Sequence, residues 1–329
     1  MYSADDLEQA VANGALSSEA AESFRDFVAA RRKTPAPDEE HFRLITGFND
    51  VFVVVAAGLL LTSVSWIGDS FAKWFGYALV AGAAWTLSEF FVRQRRMALP
   101  AIVLLLSFVG GCVFTVVHAV GPGPEGLLCG AVAGGVAAWL HWRRFRVPIT
   151  IAAGVGAVSV GSIAALLSAK PEFVSWLLAL MFACGLLTFA LALRWDASDR
   201  QRETRRSDVA FWLHLLAAPL LVHPIFYALG IQRGTIDPVG VMLVLLVYLA
   251  IALLSLWTDR RALMVSALGY VLFAFTQLFT QSGGSIGPAL ATTALVLGSA
   301  LLLLSAFWQK SRSFALRLMP LRLQRLVPP

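Results

Sequence analysis

Apolar residues run almost unbroken for about 20 positions at a time from Val51 to Phe307, and the gaps between runs are alternately rich in arginine and nearly free of it. A run of about 20 apolar residues, at about 1.5 Å each, matches a hydrocarbon core about 30 Å thick. The pattern predicts spans over 48–68, 71–92, 98–120, 126–142, 147–167, 173–193, 209–229, 238–257, 262–280 and 286–307. The expected fold is therefore all-α, a polytopic membrane helix bundle of ten transmembrane helices in five hairpins. Span four is the weakest, since it is short and diluted by Gly130, Gly134 and Gly135.

The charges orient this layout. The basic gaps are Arg93-Gln94-Arg95-Arg96, Arg143-Arg144-Phe145-Arg146, the loop from Arg194 to Asp208, and Asp259-Arg260-Arg261. With both ends of the chain, they hold every lysine and arginine except Lys73, Lys170 and Arg233. Under the positive-inside rule both termini are expected in the cytosol, which also requires an even number of spans. Composition agrees: 58% of the 329 residues are apolar and only 14% charged, against about 45–50% apolar in soluble domains. Mean hydropathy is +0.74. The net charge of +6 lies in the gaps, so it points to anionic lipids at the basic loops and tail, not to nucleic acid.

Four parts follow. Residues 1–33 read as a cytosolic helical pair: Ser3 and Asp6 suit a capping box, Gly14 a helix stop, and Ser17 or Ser18 a second cap. Such a pair is too small to be stable alone and suggests a protein partner, the membrane surface or a second copy. Residues 34–47 read as a linker opened by Thr34-Pro35-Ala36-Pro37, residues 48–307 as the membrane domain, and residues 308–329 as a basic interfacial tail. Asp5, Asp6 and Glu8 stand where a signal peptide would need a basic region. Cys112, Cys129 and Cys184 fall inside spans and read as small buried residues, not a disulfide framework.

The five hairpins, each ending in an aromatic or apolar run before arginines, form a weak repeat that the topology itself favours. A split into two inverted five-helix halves, as in many secondary transporters, is permitted by geometry alone. The N-terminal pair ending near Gly14, the stretch Gly47-Phe48-Asn49-Asp50-Val51-Phe52, the central run from Arg205 to His214, and the ten-span layout together resemble an uncharacterised family of bacterial multi-pass membrane proteins. The resemblance implies a bacterial inner-membrane location and supplies no activity, ligand or catalytic residue.

Chemistry is sought among polar groups at membrane depth, because a charge there costs at least about 2.5–3.5 kcal/mol. Span seven is the richest. His214 stands roughly 8 Å from its cytosolic edge and His223 roughly 21 Å. Nine residues separate them, so a straight helix would aim them apart, and Pro219 and Pro224 are the expected kinks that turn both toward one cavity. Imidazole suits a proton relay. Asn49 and Asp50 of span one, Glu89 of span two and Asp208 of span seven lie near the same surface and extend the candidate proton or ligand site. Simpler accounts exist for each: Glu89 can pair with Arg93, Asp208 can cap its helix, Asp50 can stay at the interface, and each histidine can bond a neighbouring helix. His118, His141, Thr276 and Gln277 read as helix contacts or aromatic belt, and the paired glycines as packing faces.

No specific catalytic, metal or cofactor motif is present, so no cofactor is expected and a membrane-embedded enzyme ranks behind the two readings that follow. The leading functional expectation is movement of a small solute or ion, proton-coupled, through a cavity lined by spans one, two and seven. The alternative is a scaffold or sensor that recruits a partner through residues 1–33.

Overall fold

Helices stand where the apolar runs do. The computed structural model describes residues 7, 10–24, 48–199, 204–230, 238–281 and 286–317. The helices are α1 (Phe48–Asp69), α2 (Lys73–Ser88, continued by a π-helical turn, Glu89–Gln94), α3 (Ala98–Val120), α4 (Pro124–Phe145) and α5 (Ile149–Ala169). A 3-10 turn, Pro171–Trp176, leads into α6 (Leu177–Ser198), followed by α7 (Arg205–Ala228), α8 (Pro238–Thr258), α9 (Ala262–Gln281), α10 (Ile286–Ala306) and α11 (Trp308–Arg317). No strand occurs among the described residues. The linker expected over 34–47, the second N-terminal helix past Phe24 and the tail past Arg317 lie outside them.

Among the described residues six helices are long and apolar enough to cross a membrane. A seventh joins them if α10 and α11, bent by 80° where they meet, count as one span. Within α8 and α9, Met242–Thr258 and Leu263–Thr276 are shorter apolar stretches. In α4 the glycines serve contact: a Cβ on Gly130 or Gly134 would lie 2.6 Å from a methyl of Val117 or Val113 on α3. Close approach of α4 to α3 thus takes the place of hydropathy. Large apolar side chains cover the outside, among them Leu59, Trp66, Ile67 and Leu187, which is the wall a lipid-facing bundle presents.

Residues 1–42 and 43–329 are separate units. In the first, Gly14 takes φ 71° where the first helix stops, and Ser17 Oγ accepts the amide of Ala20 to start the next helix. In the second, α2 packs on α1 and α3, α3 on α4, and α4 on α5, while α7 packs on α6, α5 and α9. An apolar core of Ala217, Ala218, Val222, Phe226, Val244, Leu263 and Ala267 joins α7 to α8 and α9.

Two expectations need correction. Cys129 is exposed and Cys112 and Cys184 are half-buried; all three are free thiols, apolar enough to stand at a lipid-facing surface. One cation of the tail is not directed at lipid: Arg312 is 5% exposed and lies 3.6 Å from Asp259, whereas Lys310, Phe314 and Arg317 are exposed. The bend after α10 folds α11 back over the α8–α9 turn, which is why that cation meets a carboxylate.

Candidate functional site

The centre of the site forms where α6, α7 and the α8–α9 turn meet. Asp199 Oδ2 accepts the amide (3.0 Å) and hydroxyl (2.6 Å) of Thr204, and Thr204 in turn accepts the amide of Arg206, so α7 starts at a fixed point. Two turns on, Ala192, Val209 and Leu213 form an apolar wall, and His214 is fully buried with its ring edge-on to Phe189 at 5.3 Å. Its Nε2 donates to Asp196 Oδ2 at 2.8 Å. That bond sets the tautomer, because a ring nitrogen facing a carboxylate carries the proton.

The other oxygen of Asp196 is held by Arg260. Asp259 adopts φ 57° at the end of α8, so the chain reverses and the Arg260 amide donates back to the Ser255 carbonyl at 3.0 Å. Ser255 Oγ closes the same turn by donating to the Arg260 carbonyl. The reversal sends the Arg260 guanidinium inward, where Nη2 meets Asp196 Oδ1 at 2.6 Å and the Ser207 carbonyl at 3.2 Å. Asp196, His214 and Arg260 are 1%, 0% and 2% exposed. In surroundings of such low dielectric each member depends on the others remaining in place.

α11 closes the turn from outside. Trp308 donates from its indole to Asp259 Oδ1 at 2.7 Å, Trp257 donates to the Ala315 carbonyl at 2.8 Å, and the Arg261 guanidinium stacks 4.8 Å above the Trp308 ring.

The sequence-predicted residues divide among different neighbours. His223 Nδ1 pairs with the Tyr270 hydroxyl of α9 at 2.6 Å, so the two histidines of α7 have different partners although Pro219 and Pro224 both lie in that helix. Glu89 forms a fork with Arg144 of α4, at 2.6 Å and 2.8 Å, and a longer bond of 3.3 Å with Arg93. The fork holds the Arg144 guanidinium above its ordinary pKa, so that side chain stays charged. Asp50 is buried in the first turn of α1, Asn49 beside it is exposed, and Asp208 is half-buried in the first turn of α7. Thr204, not Asp208, caps α7.

Because Glu89 is one-third exposed and its fork is at the surface, Glu89→Gln is expected to lower the melting temperature only slightly. Melting curves at low and high salt check this: screening should bring wild type toward the variant.

Sequence reasoning missed Asp196 and Arg260, which lie 64 residues apart in gaps read only for their charge. His141, read as a helix contact or part of an aromatic belt, contacts α5. That ring is fully buried, 4.6 Å from Phe145 and 6.3 Å from Trp85, with Nδ1 3.3 Å from Thr150 Oγ1. No group of three or more His, Cys, Asp or Glu among the described residues could hold a metal ion.

The chain matches no protein-family model, no curated protein and no solved structure. The chemistry of the site is therefore read from its own atoms.

Proposed function

We propose that this is a multi-pass bacterial inner-membrane protein of ten spans, with both termini cytosolic, that moves a small solute or ion with coupled uptake and release of a proton at His214. The observation that carries the reading is the burial of three ionisable side chains, Asp196, His214 and Arg260, where three helical elements meet. Of the three, His214 lies inside a span, where ionisable groups are costly and in membrane proteins mark proton relays and substrate paths. Imidazole is the side chain whose ordinary pKa lies nearest neutrality, so its charge can change under physiological conditions. Asp196 and Arg260 supply opposite fixed charges on one side of the ring. A proton gained by the His214 ring alters the balance across the α6–α7 contact, and helix contacts of this kind can shift between two packings.

The test is a proteoliposome assay. An internal pH dye follows proton movement while a panel of small solutes and ions is added outside. The expected result is solute-dependent proton movement with wild type that is lost in His214→Gln, while the variant keeps wild-type helicity. If no solute moves protons, or His214→Gln behaves as wild type, the buried triad is a structural clasp and the transport reading fails. A scaffold role would then be favoured, because residues 1–42 form a unit of their own. Deleting that unit should abolish a scaffold function and leave proton movement intact.

A further inference from the structure

A groove of about 510 Å³ runs between α4, α5 and α6, lined by none of the six residues singled out in the sequence. On α5 it extends from Thr150 to Ser162, a length of about 18 Å at about 1.5 Å per residue. One leaflet of a hydrocarbon core is about 15 Å deep, so the groove has the length of a single lipid chain. Its walls are apolar in effect, because the hydroxyls on them already have partners. Ser159, Ser162 and Thr188 donate to the carbonyls of Val155, Val158 and Cys184, and Thr150 meets His141.

The charge at its end is specific. Trp139 and Trp142 line the groove where α4 approaches its arginines. Arg143 stacks over Trp139 at 5.0 Å and Arg146 over Trp142 at 5.7 Å. Both arginines are exposed, and among the described residues neither forms an ion pair, whereas Arg144 between them is taken by Glu89. Two aromatic rings thus hold two available guanidinium groups at the mouth of an apolar channel one leaflet deep.

We propose that this groove is a binding site for one anionic glycerophospholipid, with an acyl chain along α5 and the phosphate on Arg143 and Arg146. A bound chain would fill a gap between helices that otherwise meet only in part, so the lipid acts as a structural member of the bundle. Guanidinium suits the phosphate because it offers several N–H donors in a fixed plane. The proposal does not depend on proton coupling at His214.

The test uses the full chain, delipidated in detergent and titrated with phosphatidylglycerol or phosphatidylcholine, with bound lipid counted by native mass spectrometry. One phosphatidylglycerol should bind in clear preference to phosphatidylcholine. R143Q/R146Q should weaken that binding about 30-fold, from roughly fivefold per cation. Val158→Trp, at a groove position 66% exposed to the outside, should block it without disturbing the packed core. R95Q/R205Q, which removes two exposed arginines away from the groove, should bind as wild type. Circular dichroism checks that each variant is folded, and R143Q/R146Q alone suffices if Val158→Trp is not. Equal binding of the two lipids, a preference that survives R143Q/R146Q, or a lipid-free dimer with the groove closed by a second copy would each overturn the proposal.

Discussion

Asp196→Asn lowers the melting temperature of the detergent-solubilised protein by on the order of 10 °C, the largest effect expected from any single substitution of a polar residue here. The amide keeps the shape but accepts only at its one oxygen, so its NH2 faces one of the two donors that the carboxylate held. What it lacks is the charge that offsets Arg260, which at 2% exposure cannot turn to solvent. Removing one partner of a buried ion pair costs about 3–5 kcal/mol, because the remaining charge stays buried and uncompensated. A second variant tests this cause. Asp196→Leu combined with Arg260→Met removes both charges and should recover much of the lost stability, since apolar replacements of a buried pair are often neutral. If the double variant melts no higher than Asp196→Asn, the cost lies in packing and not in the stranded guanidinium. Thermal denaturation followed by intrinsic fluorescence decides between these outcomes.

Gly185→Leu should be nearly as damaging, by a different mechanism. A Cβ at Gly185 would stand 3.0 Å from the backbone carbonyl carbon of Leu220 and 3.0 Å from the Leu221 side chain. The backbone on α7 cannot give way as a flexible side chain would, so α6 must move outward. Leu220 is also the residue whose carbonyl Pro224 leaves without a helical amide donor, so the contact falls where α7 is already weakened. Overpacking of this kind costs about 1–3 kcal/mol. Asp196 lies eleven residues further along α6, about 16 Å away, and an outward tilt would stretch its 2.8 Å bond to His214. The variant should therefore lose both melting temperature and any proton movement that depends on His214. Gly82→Leu is the control, because a Cβ there meets nothing within 4 Å, and it should melt close to wild type.

The two variants probe what was hardest to read in the chain. Helix positions were legible because their signals are local: an apolar run, an arginine cluster, a glycine or serine at an end. The start of α3 at Ala98 and the end of α8 at Thr258 stand within a residue of the apolar boundaries. The same locality made the Glu89–Arg93 pair visible at four residues, while the shorter bonds to Arg144, 55 residues away, left no trace in sequence. His214 and His223 stand out because a histidine in an apolar run is conspicuous. Their partners do not, since Asp196 and Tyr270 stand 18 and 47 residues off on helices whose adjacency depends on the whole bundle. Arg260 was hidden by its neighbourhood: in a gap full of cations, a buried arginine has the same composition signal as an exposed one.

Arg96 and Arg146 carry a further consequence, since both hold left-handed backbone, at φ 52° and 57°, in turns where glycine would sit without strain. A side chain in that conformation costs about 1–2 kcal/mol, so backbone conformation alone would favour glycine at both places. A membrane helix acquires its orientation as it leaves the insertion machinery, and cations beside it bias which end stays behind. At these two turns the backbone and the expected orientation of the helices thus have opposite preferences.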